Sequence, residues 1–343
     1  MARIWMSGIE AGHMDVFTAM LNAAINAVQV RTGAYSLYHE WVSSWSKGVF
    51  PASKSEIYGR FAVRPAYTSS DTNGNILLTL RDNAGTTQIT IQLNQYTGQV
   101  QVRRGAYNST VIGRGGELHQ DRWNCIEFRL LVDDAPGGVF QLKVDGTQVI
   151  DFAGDTQETA NANVLSFEIG GVDGVLGNAC IGYYDDIAFN DVAGGVNDSW
   201  IGRGGIPAIF PEGVGNSTDL QLHPNTGEAN WEDVDEKPPD DDTTYVFDDL
   251  VDDHDSYETE DLIATGTISA VQWLARAKAV LVGAPEIMRV LRIGGTDYDG
   301  AADIAIDAAY DYYTEILDLD PDAGPGVWTV AAVNGMELGV KIR

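Results

Sequence analysis

The sequence predicts an all-β protein: two tandem antiparallel β-sandwich domains of jelly-roll type, joined by an acidic, proline-containing connector. Three observations carry this expectation. Short runs alternate apolar and polar residues with a period of two, the mark of a strand with one buried face. Glycine, asparagine and aspartate separate the runs and supply the positive φ that tight turns need. The alternation fades around Pro207, Pro211, Pro224, Pro238 and Pro239 and then resumes. The boundaries this sets are 1–195 for the first sandwich, 196–242 for the connector and 243–343 for the second sandwich.

Val16–Val28 (VFTAMLNAAINAV) is rich in Ala, Leu and Met, which admits a helix by propensity. It has no clear cap and lies inside a strand series, which favours two short strands. Ser55–Tyr67, Asn75–Arg81, Thr87–Leu93 and Gln99–Arg103 follow as strands, with turns at Asp71–Gly74, Asp82–Gly85 and Tyr96–Gly98. Trp123–Val132 and Val139–Val144 form a pair across Asp133–Gly138. Asp145-Gly146-Thr147 then turns into Gln148–Phe152, and Val164–Gly170 and Ala179–Phe189 close the series. Lys237-Pro-Pro-Asp-Asp-Asp242 suits neither a helix interior nor a central strand. Beyond it the expected strands are Thr243–Phe247, Gly266–Val282 around Trp273, Glu286–Ile293, Ile304–Leu317, Gly326–Val333 and the final Gly335–Arg343.

The chain has 343 residues, the scale of two domains. Its 50 acids against 21 bases give a formal charge of −29, which repels phosphate backbones and anionic membranes. Nucleic acid is therefore excluded as a partner. No apolar run approaches the ~20 residues of a membrane-spanning helix, and Glu10, His13 and Asp15 break any leader-like stretch at the start. Asp outnumbers Glu 34 to 16 and Arg outnumbers Lys 15 to 6, a surface suited to high salt. Residues 232–261 alone hold 15 acids and one base, and their charge density marks them as the most salt-sensitive stretch. Cys125 and Cys180 lack metal or redox spacing and are expected as buried thiols on strands.

Certain strings resemble a known pattern. They are Tyr183-Tyr-Asp-Asp-Ile-Ala-Phe-Asn-Asp191, Asn197-Asp-Ser-Trp-Ile-Gly202, Pro207–Pro211 and Val234–Tyr245. With the Asp320-Pro-Asp-Ala-Gly loop, Trp328-Thr329 and Gly339-Val340, they are similar to virion proteins of tailed viruses of bacteria and archaea. The first domain of those proteins resembles a concanavalin A-like, laminin-G-like jelly roll. The resemblance implies a non-enzymatic structural protein on the particle surface, capsid-associated or tail-associated. Implied partners are other virion proteins and copies of itself, since virion positions carry local symmetry. The location implied is the extracellular particle, after synthesis in the host cytoplasm. The alternative is a carbohydrate-binding adhesin that takes glycans of the host envelope. No cofactor is required on either reading. Sandwiches of this kind hold a structural calcium between an early glutamate and a late aspartate pair, and the matching residues are Glu10, Asp185 and Asp186.

Catalytic patterns were weighed against these readings. Glycoside hydrolysis needs two carboxylates facing the same bond, yet Trp123–Val132 carries only Glu127 and Val164–Gly170 only Glu168. There is no Gly-x-Ser-x-Gly elbow and no phosphate-binding glycine loop. The five histidines are scattered without metal spacing. Asp318–Gly324 places acids like a calcium loop, but its glycine falls one position late and its twelfth residue is Thr329. Trp41, Trp45, Tyr35 and Tyr38, and separately Tyr310, Tyr312 and Tyr313, are aromatic clusters that serve either as sugar-stacking platforms or as core.

Overall fold

The computed structural model describes residues 2–67, 75–94, 97–171, 179–225, 227–280, 285–324 and 326–343. The chain divides into two compact units: Met1–Glu10 with Met14–Pro207, and Ala11–His13 with Ala208–Arg343. Both are built almost entirely from antiparallel strands. No helix is long and apolar enough to cross a membrane.

The first unit pairs an eight-stranded sheet with a seven-stranded one. The larger runs Thr147–Ala153, Val139–Val144, Asn124–Leu131, Glu56–Tyr67, Ile181–Asp191, Ser36–His39, Ala23–Asn26, and Arg3–Ser7 also pairs with Ile181–Asp191. The smaller runs Thr110–Glu117, Gln99–Arg104, Thr87–Leu93, Asn75–Arg81, Val164–Gly170, Trp45–Lys54, Ala19–Leu21. The inner faces meet over one core, with Phe61, Phe128, Phe140 and Phe189 from one sheet and Phe167, Leu78, Leu80, Ile89 and Val102 from the other. Phe167 and Phe189 approach to 4.4 Å between ring centroids. Each such ring removed from water contributes about 1.5–3 kcal/mol. Two glycines make the room: a Cβ on Gly48 would strike the Phe167 ring, and one on Gly59 the rings of Phe128 and Phe189.

Val16–Val28 forms two short strands rather than a helix. Asn22 takes φ 49° between Ala19–Leu21 and Ala23–Asn26 and sends them into different sheets. Asparagine tolerates that left-handed turn. The expected pair of Trp123–Val132 with Val139–Val144 is present as Asn124–Leu131 against Val139–Val144, residue for residue from Ile126↔Val144 to Leu131↔Val139. The turns expected at 71–74 and at Tyr96 lie outside the described residues.

The second unit holds a six-stranded sheet in the order Pro211–Thr218, His254–Thr259, Met336–Ile342, Glu286–Ile293, Thr296–Asp297, with Ile304–Ala305 also on Glu286–Ile293. Two hairpins complete it: Gln221–His223 with Tyr245–Phe247, and Val271–Ala277 with Asp311–Leu317. The Trp273 indole N–H donates to the carbonyl of Gly339 at 3.0 Å, which ties the longer hairpin to the sheet. Leu291, Ile293, Trp328, Val333 and Met336 are the buried core.

Four expectations need correction here. The stretch 196–242 is not a free connector. Through residue 207 it belongs to the first unit, and from 208 to the second, where Pro211–Thr218 is an edge strand. Proline is admitted there because an edge strand has a side that need not donate to a ladder. The second unit accordingly begins at 208 rather than 243. The acidic stretch 232–261 includes His254–Thr259, which is paired on both sides, by Pro211–Thr218 and by Met336–Ile342. Its charge is thus carried partly within a sheet: Asp255 is fully buried and accepts from the Leu220 N–H at 2.9 Å and the Tyr257 hydroxyl at 3.0 Å. Finally, Gly326–Val333 is not a strand. Thr329 caps a short helix, Val330–Asn334, by accepting from the Ala332 N–H at 3.0 Å. The expected Ile304–Leu317 strand is two separate pieces, Ile304–Ala305 and Asp311–Leu317.

Gly339 shows how tightly the second unit is packed. A Cβ there would collide with the backbone carbonyl of Asp255 on the neighbouring strand. Gly339→Ala and Gly48→Ala are each expected to lower stability by about 1–3 kcal/mol, the ordinary cost of overpacking. Denaturant titration checks this; a midpoint unchanged in both would mean that the strands accommodate the methyl groups freely.

Candidate functional site

The structure brings Glu10, Asp185 and Asp186 into one buried cluster. A bulge in Ile181–Asp191 between Asp185 and Ala188 places Asp186 at φ 51° and turns both carboxylates toward residues 31–35. Asp185 Oδ2 accepts from the backbone N–H of Arg31 at 2.9 Å and of Thr32 at 3.3 Å. Asp186 Oδ1 accepts from the Thr32 hydroxyl at 2.6 Å and the Ile206 N–H at 2.5 Å, and its Oδ2 pairs with the Arg31 guanidinium. Glu10 Oε2 accepts from the Ala34 N–H at 2.6 Å. Gly33, at φ 64°, has to be glycine because a Cβ there would enter the Glu10 carboxyl group. Burial raises the Glu10 carboxyl to about 7, helped by the charge of Asp186 and opposed by backbone N–H groups. Burial, then repulsion from Asp186, also holds Asp185 well above the carboxylate range.

Calcium takes six to eight oxygens, and this donor set does not fit it. The aspartate oxygens already accept N–H or O–H donors, and of the three residues only Glu10 keeps a buried oxygen without a partner, Oε1. Among the described residues no group of three or more His, Cys, Asp or Glu side chains is arranged to hold a metal ion. The cations in this cluster are Arg31, held in turn by the carbonyls of Arg203 at 2.6 Å and Gly204 at 3.1 Å, and the buried Arg60, whose Nε donates to the Asp186 carbonyl at 3.0 Å. The Asp318–Gly324 loop is a local turn, with the Asp322 N–H bonded to Asp320 Oδ1 at 2.9 Å. Removing the Arg31 charge leaves the buried Arg60 as the cation beside Asp186. Arg31→Gln is therefore expected to cost about 1–3 kcal/mol, the loss of a charge-assisted hydrogen bond, whereas a chelator leaves the melting temperature of the wild-type chain unchanged. A chelator-induced drop would show instead that an ion does this work.

Glu127, one of the two acids weighed for catalysis, is spent on structure: it accepts from the Gly202 N–H at 2.7 Å. His39 is fully buried, with Nε2 3.2 Å from the Ser46 hydroxyl and Nδ1 without a partner. Burial lowers its pKa from 6.5 to about 3. The unfolded chain then binds a proton that the folded chain refuses, so this stability is complete above pH 6.5 and is lost as pH falls toward 3. Glu10 acts in the opposite sense, its stabilisation being lost as pH rises toward 7. Asp185, also raised, acts in the same sense as Glu10, so between pH 7 and 4 the carboxylates and His39 oppose one another and His39 is read as a difference: the melting temperature of His39→Gln is expected to rise relative to wild type as pH falls from 7 to 4. Parallel curves for the two proteins would exclude His39 as the cause. Both thiols are buried and free, Cys125 pushed up to about 11 and Cys180 to about 12 by burial.

A second arrangement was not anticipated from the sequence. The face of the seven-stranded sheet turned away from the core carries a continuous polar row. Register places Lys47, Glu168, Thr79, Thr90 and Arg103 side by side across five strands. A parallel row continues through Gln92, Gln101 and Arg114. Thr79, Thr90, Gln92, Gln101 and Glu168 are all buried, so they form a floor. The 105–109 segment folds back over it: Gly105 accepts from the Thr90 hydroxyl, Tyr107 from the Gln92 amide, both at 2.8 Å. Arg81 pairs with Glu168. Thr79 Oγ1, at the centre, is buried and has no hydrogen-bond partner. A buried hydroxyl left unpaired costs about 1–3 kcal/mol, a cost carried within the fold because Thr79 is closed to solvent.

The aromatic clusters divide. Trp45 is buried and Trp41 is exposed, while Tyr38 stacks on Tyr183 at 4.7 Å on the larger sheet. Tyr310 and Tyr312 are covered by Arg276, and Tyr310 also by Lys278, as cation–π partners.

No protein-family profile and no curated protein matches the chain. Solved structures match in part. An endo-β-1,4-glucuronan lyase from Trichoderma reesei aligns with 17% identity and a TM-score of 0.40, over 56% of this chain and 97% of its own. The cellulose-induced protein Cip1 aligns with 11% identity and a TM-score of 0.40, over 54% and 96%. The carbohydrate-binding module CBM66 from Bacillus subtilis aligns with 10% identity and a TM-score of 0.30, over 50% and 97%. At this distance the likeness concerns the β-sandwich alone.

Proposed function

We propose that the first unit is a carbohydrate-binding β-sandwich and that the polar face of its seven-stranded sheet receives the glycan. The observation that carries this reading is the polar row across the outward face, whose accessible members are Lys47 at one end and Arg103 and Arg114 at the other. A sheet face with no ligand is ordinarily solvated or covered by apolar packing. Here it is lined with groups that both donate and accept, which is the chemistry a sugar hydroxyl requires. Of the side chains in these rows only Glu168 is a carboxylate, and Arg81 neutralises it. That favours retention of a glycan over its hydrolysis, which uses two carboxylates.

Location on a virus particle is a separate proposal, supported by the sequence resemblance alone. The most recognisable string of the first unit, Tyr183–Asp191, is a central strand in which Tyr184, Ile187, Ala188 and Phe189 are fully buried. It therefore supports the fold more than the location. An adhesin displayed on the particle in several copies unites both readings. Mass spectrometry of purified particles tests it; absence from particles would end the location and leave glycan binding standing.

Thr79→Val and Lys47→Met separate structure from binding. The first removes an unpaired buried hydroxyl with almost no change of shape, so the melting temperature is expected to rise. Lys47→Met, at the half-exposed end of the row, is expected to lower glycan affinity roughly 3- to 10-fold, the loss of one hydrogen bond. The comparison is run on a glycan array followed by titration of the best binder. Affinity unchanged by Lys47→Met, or no binder on the array, would overturn this site.

A further inference from the structure

We infer that the glycan held on this face is anionic and that Arg103 and Arg114 grip its carboxylate or sulfate groups. The inference rests on the carbohydrate-binding reading above and names the ligand's chemical class.

Acids outnumber bases 50 to 21 in this chain, so a basic side chain has carboxylates in abundance. Neighbouring arginines use them: Arg81 pairs with Glu168, and Arg104 with Asp155 and Glu158. Arg103 and Arg114 do not take one among the described residues. Arg114 Nε donates to Gln101 Oε1 at 2.9 Å, and Arg103 Nε to Gln92 Oε1 at 2.8 Å. The Gln101 amide reaches Gln92 Oε1 at 3.4 Å and joins the two into one chain. Arg103 also donates through one terminal nitrogen to the Ser109 carbonyl at 2.5 Å. Two like charges are thus linked through one chain of neutral amides. Burial first, and then the charge of Arg114, pull Arg103 below its ordinary pKa. That repulsion is unrelieved within the described protein, and an anion placed between the two guanidinium groups relieves it.

The anchoring geometry suits the ligand. Each Nε is fixed by an amide, which orients the planar fork, and a guanidinium fork matches a carboxylate or sulfate through parallel N–H bonds. Arg114 is exposed and Arg103 partly so, which leaves their guanidinium groups open to a ligand above the sheet. The rest of the molecule, at a net −29, repels polyanions and so confines them to this patch.

The test titrates the full chain, by calorimetry in 0.05 M salt, with polygalacturonate, dextran sulfate and neutral dextran. Binding to polygalacturonate identifies carboxylate as the anion recognised, and binding to dextran sulfate alone identifies sulfate; either supports the inference. Affinity is expected to fall at least about 10-fold in Arg103→Gln/Arg114→Gln, since a charge-assisted bond is worth about 1.5–3 kcal/mol. It is expected to weaken further as salt rises. Arg114→Gln alone, at an exposed position, gives the same direction of change without risk to folding. Arg104→Gln removes an equal charge elsewhere and leaves affinity unchanged. Anion binding that survives the double substitution overturns the assignment. Binding to neutral dextran alone overturns the anionic class and keeps the carbohydrate reading. Binding to none of the three, repeated with a neutral glycan array, overturns both.

Discussion

The contact between Phe167 and Phe189, 4.4 Å between ring centroids, is where the two sheets of the first unit lock together. It fixes the phase of both. With Phe167 inward, its neighbour Glu168 points away from the core, and register carries that choice across to Thr79, Thr90 and Arg103. A slip by one residue would exchange the core and polar faces of the whole sheet. Gly48 and Gly59 protect the phase by leaving the space the phenyl rings fill. The polar floor is therefore a consequence of core packing, and its precision is borrowed from a close-packed interior.

The buried acids follow the opposite logic. Asp185 and Asp186 are turned inward by a bulge, and the 199–206 strap closes over the side chains around them. That strap supplies carbonyls to Arg31 and Arg60 and N–H groups to Asp186 and Glu127. The buried polar groups thus hold the glycine-rich segment to the first unit, together with Trp200, which packs against Tyr58 and Lys143. Arginines in the cluster give it cations that are part of the chain, so the charge is balanced without recruiting one from solution.

Much of the architecture was legible in the residues. Strands with clean alternation, such as Asn75–Arg81, Val139–Val144 and Glu286–Ile293, appear at the expected bounds because one face is apolar and the turns are unambiguous. Pro211–Thr218 was missed because an edge strand rich in Gly, Asn and Ser has no apolar face to display. His254–Thr259 was hidden by its own charge, since Asp255 reads as a solvated acid until Leu220, Asn230 and Tyr257 are seen to hold it. Gly326–Val333 failed for a local reason: the Thr329 cap outweighs a short apolar run.

The sequence by itself determined the all-β class and the antiparallel order of neighbouring strands. These depend on period and turn chemistry, both of which are local. Only the tertiary structure decided what Glu10, Asp185 and Asp186 do. Whether Asp186 meets an ion or a guanidinium depends on Arg31, 155 residues away in the chain. Likewise Gln92, Gln101, Arg103 and Arg114 are merely the polar half of an alternation until three strands lie side by side. The physical reason is that period-two patterning states which side chains share a face, while strand pairing states which of them touch. Function at this sheet depends on touching.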